Sequence, residues 1–140
     1  MPNEEPQDSL VLDSKLTELS RAQSWAESLA DRVGMSADTR YAISLCLEEA
    51  FANVVLHGYR NEPGHPIVLR SWHSSDTLSL TIEDTAPPFA PPAPSEAYKH
   101  ESLESLTPGG QGIRLLRHFA RSLVYERLPE GNRLTIGFLV

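Results

Sequence analysis

Hydrophobic residues recur along the chain with two different periods, which predict helices first and strands afterwards. Residues 9–12 have the pattern of a short edge strand, and Asp13 or Ser14 is suited to cap the following helix. Gly34 ends that helix, whose apolar face is predicted to comprise Leu12, Leu16, Leu19, Trp25, Leu29 and Val33. A second helix is predicted from Ser36 to about His57, before Gly58. Its apolar face comprises Ile43, Leu47, Ala50, Phe51 and Val54.

The second half of the chain is predicted to contain strands, a long loop and one more helix. Residues 67–73 and 77–83 are predicted strands, and polar residues alternate with apolar ones in the second, so one face should be buried and one solvated. Five prolines within residues 86–94 exclude a regular helix or a central strand there. We interpret residues 89–108 as a long loop with a short helical piece around 101–106, followed by a helix over 113–121. Residues 122–127 and 133–140 then form a closing hairpin, with Pro129 and Gly131 in its turn.

This order of elements predicts an α+β fold. We expect a two-layer α/β sandwich in which helices cover one face of a mixed, mostly antiparallel sheet. Residues 1–8 are expected to form a flexible N-terminus, and residues 9–140 a single domain, which suits a chain of 140 residues.

Charge and composition restrict the partners and the location. The net charge of −7 argues against duplex nucleic acid or an anionic membrane as the main partner, because both require a basic face. The charge does not exclude a protein partner with a basic patch. The single cysteine, Cys46, allows no internal disulfide, and no segment resembles a secretory signal or a membrane span. A cytoplasmic location is therefore expected.

Three polar side chains form a line on the second helix. Glu49, Asn53 and His57 are spaced at i, i+4 and i+8, which places them on one side. The ordinary interpretation is the wet stripe of an amphipathic helix. The functional interpretation is that this line of side chains faces a cavity, where a carboxylate can serve as a base and an amide oxygen can bind a hard cation such as magnesium. His57, near the helix end, is better explained as a cap.

Two further features suit a nucleotide. Asp84 follows a strand, where a carboxylate can accept from the exocyclic amine of adenine, although a plain turn aspartate is common. Residues 109–112 read Gly-Gly-Gln-Gly directly before an apolar helix. Glycines there let the backbone approach a phosphate, and the helix N-terminus favours negative charge; the alternative is a flexible loop end.

In combination these segments resemble a known family. Residues 49–59 read Glu-Ala-Phe-Ala-Asn-Val-Val-Leu-His-Gly-Tyr and resemble the N-box of the GHKL ATPase/kinase superfamily. They share the pattern Glu-Ala-x-x-Asn-x-x-x-His-Gly/Ala-Tyr with the anti-sigma factor serine/threonine kinases. Residues 82–89 and 109–113 resemble the first and second glycine boxes of that family, and residues 125–134 its closing strands. The resemblance covers nearly the whole chain and implies the Bergerat ATP-binding fold.

The resemblance also implies roles for individual residues. Glu49 matches the general base, Asn53 the magnesium ligand and Asp84 the adenine-binding acid. The remaining positions that match the nucleotide site are Ala86, Gly109, Gly110, Gly112 and Ile113. Ala86 stands where the first glycine box usually has glycine, so a position that needed positive φ would be strained. Arg21 lies near a first-helix arginine through which some of these kinases contact partners.

The leading hypothesis is an anti-sigma-type serine/threonine kinase of a partner-switching system. Such a kinase binds ATP and Mg²⁺ and phosphorylates a serine of a STAS-domain anti-anti-sigma protein. The unphosphorylated anti-anti-sigma protein and a sigma factor compete for binding to the kinase. The family resemblance also implies a homodimer. The alternative, which Ala86 favours, is a non-catalytic module that binds ATP or nothing and sequesters its partner. The ATPase half of a histidine kinase is disfavoured, since we expect no phosphoacceptor helices upstream.

Overall fold

A computed structural model describes residues 6–88 and 119–140. The helical elements are a 3-10 turn Leu16–Glu18, α1 Leu19–Val33, α2 Ala37–Asn53 and a π-helical turn Val54–Gly58. The strands are β1 Asp8–Asp13, β2 Pro66–His73, β3 Thr77–Asp84, β4 Ser122–Leu128 and β5 Gly131–Leu139. Among the helices of the described ranges, none is both long enough and apolar enough to cross a membrane.

The five described strands form one sheet in the order β1-β2-β3-β5-β4. Every described strand pair is antiparallel, so this part of the sheet is antiparallel throughout rather than mixed. Side chains of α1 and α2 form one hydrophobic core with the inner face of the sheet, which contributes Leu12, Ile67, Leu69, Leu78, Leu80, Ile82, Ile136 and Phe138. The predicted α+β sandwich is thus confirmed.

The second helix begins as predicted and ends in an unusual way. Ser36 caps α2, since its hydroxyl accepts a hydrogen bond from the Thr39 N–H at 3.2 Å. All five predicted apolar residues of this helix are buried. After Asn53 the backbone widens into the π turn, in which the Tyr59 N–H donates to the Val54 carbonyl at 2.9 Å. Arg60 and Asn61 then take left-handed conformations, with φ of 53° and 63°, that reverse the chain.

The start of the first helix differs from its prediction. Neither Asp13 nor Ser14 caps α1, which begins at Leu19 after the 3-10 turn. Asp13 and Ser14 instead accept hydrogen bonds from the backbone of the loop before β2, at Gly64 and His65. Leu16 is 43% exposed, and the buried face of α1 comprises mostly small residues, Ala22, Ala26, Leu29 and Ala30. Small side chains allow α1 to lie close against α2 and the sheet.

The outer face of the sheet is less solvated than its alternating pattern predicts. Thr81 points to that face yet is fully buried. β3 is the central strand, so Thr81 is flanked by its register neighbours Arg70 on β2 and Thr135 on β5. The predicted loop over 89–108 and nearly all of the helix over 113–121 lie outside the described residues.

Candidate functional site

A pocket lies between the C-terminal part of α2 and one end of the inner sheet face. Its lining combines apolar side chains with a few polar ones, and the lining residues are Ala50, Asn53, Val54, Ile82, Asp84, Tyr125, Asn132 and Leu134. An apolar pocket with convergent polar groups is the usual form of a small-molecule site. The fold therefore brings the predicted residues Asn53 and Asp84 to the same pocket.

Glu49 lies one helical turn before Asn53 on the same side of α2, because residues four apart overlie each other. Both side chains are half-buried, and Asn53 lines the pocket whereas Glu49 is not one of its lining residues. Burial, and then the negative charge of Glu48, raise the pKa of Glu49 above the ordinary 4.5. A carboxylate with a raised pKa is a stronger base than a solvated one.

Cys46 precedes Glu49 by three residues and has a different character. Its thiol is fully buried, and burial together with the charge of Glu49 raises its pKa to about 12. The thiol is therefore protonated at neutral pH and is not a nucleophile.

Asp84 is the last residue of β3 and is only 6% exposed. It lies in the terminal row of the inner face, opposite Ile67 on β2 and Asn132 on β5. Its Oδ1 accepts hydrogen bonds from the Asn132 side-chain amide at 2.8 Å and from the Ala86 N–H at 2.9 Å. No donor among the described residues reaches Oδ2.

Burial raises the pKa of Asp84 above the ordinary 3.8. The hydrogen bonds from Asn132 and Ala86, and the charge of Arg127, oppose that shift. The neighbours of this carboxylate therefore offset part of the penalty for burying its negative charge.

Asn132 was not predicted as a site residue. Its Oδ1 accepts from the Tyr125 hydroxyl and, at 3.4 Å, from Arg127, while its Nδ2 donates to Asp84 and to the carbonyls of Ala86 and Pro87. A guanidinium can only donate and a carbonyl can only accept, so the surroundings determine the orientation of the amide. The sequence offers no signal for this role until the register places Asn132 opposite Asp84.

Gly131 allows the end of β3 and the start of β5 to approach each other, and Ala86 lies just after β3. Gly131 was predicted to serve the hairpin turn, but it is the first residue of β5, and a Cβ there would lie 1.8 Å from the backbone oxygen of Asp84. Ala86 is buried, and within the described ranges the only non-glycine residues with positive φ are Arg60 and Asn61. Ala86 therefore replaces glycine without backbone strain.

The other predicted site residues lie elsewhere. Arg21 is exposed on α1 and forms an ion pair with Glu18 at 2.9 Å, and it does not line the pocket. His57 is exposed in the π turn. The glycine turn, with Gly109, Gly110 and Gly112, and Ile113 after it, lies outside the described residues.

Known proteins of similar sequence identify the family of this chain. Residues 12–138 match the histidine kinase-like ATPase domain. The chain belongs to this family. It is similar to the serine/threonine-protein kinase BtrW of Bordetella bronchiseptica, with 36% identity over 92% of this chain and 91% of the relative. It is also similar to the anti-sigma F factor of Oceanobacillus iheyensis, with 24% identity over 74% of this chain and 70% of that protein.

A solved structure supports the fold assignment. The histidine kinase domain of the Erythrobacter litoralis EL346 blue-light activated histidine kinase superposes with a TM-score of 0.52 and 20% identity over 88% of this chain. The matched region spans 59% of that longer chain. At this identity the likeness establishes the architecture. The resemblance to the GHKL superfamily and to anti-sigma factor kinases is confirmed by the sequence relatives.

Proposed function

We propose that this protein is an anti-sigma-type serine/threonine kinase that binds Mg–ATP and phosphorylates a serine of a STAS-domain anti-anti-sigma protein. The observation that carries the proposal is the meeting of Asn53 on α2 and Asp84 on β3 at one apolar pocket, with Glu49 one turn away. The relatives named as a serine/threonine kinase and an anti-sigma factor support the choice of activity and of partner class.

The pocket supports recognition of adenine. Asp84 Oδ2 can accept a hydrogen bond from an exocyclic amine, and the ring of Tyr125 and the side chains of Ile82 and Leu134 supply apolar surface for a flat base. A base that presents a carbonyl at the same position, such as guanine, would place an acceptor against this carboxylate and would be disfavoured.

The residues present also fit a magnesium ion that accompanies the nucleotide. Within the described residues, no group of three or more histidine, cysteine or acidic side chains could hold a metal ion by itself. Magnesium is commonly held by one or two protein oxygens together with phosphates, and the Asn53 amide oxygen at the pocket is of that kind. Bound there, the ion would neutralise charge on the phosphates.

Glu49 would act as the general base in the transfer. Its carboxylate would take the proton of the substrate serine hydroxyl as the serine oxygen bonds to the γ-phosphorus. The bond from that phosphorus to the bridging oxygen breaks, and ADP leaves with its electron pair. The raised pKa of Glu49 favours the acceptance of this proton.

Transfer of labelled phosphate from ATP to a STAS-domain protein of the same organism tests the proposal. We expect Glu49→Gln to lower the transfer rate by about a hundredfold or more while ATP affinity stays near that of the wild type. Asp38→Asn is the acid-to-amide control, since Asp38 is exposed in the first turn of the same helix, about three turns from Glu49. Unchanged transfer in Glu49→Gln would refute catalysis by this residue. Tight binding of the STAS protein without ATP binding would instead support a sequestering module.

A further inference from the structure

The hydroxyl of Tyr59 joins three segments of the chain near the pocket. Tyr59 directly follows the π turn at the end of α2 and is 7% exposed. Its hydroxyl lies 2.7 Å from the carbonyl oxygen of Pro66, 2.8 Å from the backbone nitrogen of Thr85 and 3.1 Å from the Thr85 hydroxyl. Pro66 begins β2, and Thr85 directly follows Asp84.

The direction of these hydrogen bonds follows from the partners. The carbonyl of Pro66 can only accept, so Tyr59 donates its single proton there. The backbone N–H and the hydroxyl of Thr85 then donate to the two lone pairs of the Tyr59 oxygen. The hydrogen-bonding capacity of this hydroxyl is used completely, and its ring stacks on His65 with centroids 4.7 Å apart. Both features restrict the side chain to one orientation.

The position of Tyr59 relates it to both ends of the proposed nucleotide site. The π turn connects Tyr59 to Asn53, the last residue of α2, and the bond to Thr85 connects it to Asp84. Asp84 itself is held by Asn132 and Ala86, which do not involve Tyr59. Tyr59 is therefore placed to set the distance between the helix and the strand end rather than the orientation of the carboxylate.

We propose that Tyr59 is a positioning residue that holds the strand end bearing Asp84 in register with the helix bearing Glu49 and Asn53. This inference rests on the proposed function, in which Asp84 binds the base and Asn53 lies at the Mg²⁺–phosphate end. A nucleotide can satisfy both ends at once only when their separation matches its length. Loss of the Tyr59 hydroxyl should uncouple the two ends while each end keeps its own contacts.

Calorimetric titration of the full chain with adenosine, with ATP in EDTA and with ATP plus excess Mg²⁺ tests this. In the wild type, Mg²⁺ should strengthen ATP binding, and the ratio of the two dissociation constants measures the coupling. In Tyr59→Phe, which keeps the ring, this ratio should fall about threefold to tenfold, whereas the adenosine constant should stay within about twofold. A purely structural role would weaken all three titrations alike and would overturn the proposal.

Two further variants complete the test. Tyr41→Phe is the matched control, because Tyr41 lies on α2 with 61% of its surface exposed and does not line the pocket. Thr85→Val removes only the hydroxyl donor of Thr85, an exposed residue, so the ratio of dissociation constants should fall less than in Tyr59→Phe. If Tyr59→Phe does not fold, Thr85→Val provides the test. A wild type that binds neither nucleotide form would overturn the proposed function together with this inference. An unchanged ratio in the variants would overturn this inference alone.

Discussion

Asp84 is a buried carboxylate at the pocket. It can accept a hydrogen bond from a ligand, and its burial also disfavours its charged form. One carboxylate oxygen is held by Asn132 and Ala86, and the other receives no hydrogen bond from any described residue. The raised pKa means that the folded chain binds a proton at Asp84 more tightly than the unfolded chain does. Between the ordinary pKa of 3.8 and the higher folded value, the free energy of unfolding therefore falls as pH rises.

We predict that Asp84→Asn weakens ATP binding while leaving the apo protein at least as stable as the wild type. The amide oxygen can still accept from Asn132 and Ala86, and the buried charge is removed. The amide nitrogen would face the adenine amine donor to donor, so affinity should fall about tenfold or more. Calorimetry and denaturant unfolding at neutral pH measure the two effects, with the exposed Asp76→Asn as the charge-matched control. Wild-type affinity in Asp84→Asn would contradict the role of Asp84.

At the scale of elements, the site depends on how closely the β4–β5 hairpin approaches the end of β3. Arg127 donates to the carbonyls of Ala86 and Gly131 at 2.9 Å and 2.8 Å, and Asn132 bridges to Asp84. These bonds join the segment after β3 to the hairpin. The close approach requires that residue 131 have no side chain, since a Cβ would overlap the Asp84 backbone.

We therefore predict that Gly131→Ala lowers the free energy of unfolding by about 1–3 kcal/mol or more, because backbone atoms must move to admit the methyl group. Gly137→Ala on the same strand is the matched control. The atom nearest to an added Cβ there would be the Ser122 hydroxyl oxygen at 2.3 Å, on a side chain that can rotate away, and the nearest backbone atom, the Ser122 nitrogen, would lie at an ordinary contact distance of 3.9 Å. Denaturant unfolding of the two variants compares them. Equal stabilities would show that the hairpin adjusts freely.

At the scale of the whole molecule, a nucleotide would join elements that are distant in the sequence. Asn53, Asp84 and Asn132 come from α2, β3 and β5, and all three line one pocket. A ligand bound there stabilises only the folded arrangement, because the unfolded chain does not assemble the pocket. Binding should therefore be visible as global stabilisation.

We predict that Mg–ATP at a hundredfold excess over its dissociation constant stabilises the chain by about 2.7 kcal/mol, which corresponds to a rise in Tm of about 8 °C for a domain of this size. Differential scanning fluorimetry measures the shift. Mg–GTP at the same concentration should give a smaller shift, because guanine lacks the matching amine. No shift at millimolar Mg–ATP would contradict nucleotide binding by the isolated chain.

The periodicity of the chain was sufficient to predict the described strands and the second helix, because local burial patterns and the Ser36 cap act over a few residues. It was insufficient where side chains make distant contacts. Asp13 and Ser14 look like helix caps, yet they bind the loop before β2. The periodicity also gives no signal for the π turn, which replaces the last turn of the predicted helix.

By itself the sequence determined the fold class and the family. The family followed from the N-box and glycine-box resemblances, because these motifs are short segments in a fixed order along the chain. It also named Glu49, Asn53 and Asp84 as the expected site residues. Only the tertiary structure revealed that Asn132 orients Asp84, that Gly131 permits their approach and that Tyr59 joins α2 to Thr85. Those relations depend on strand register and on packing between distant segments, which no local pattern encodes.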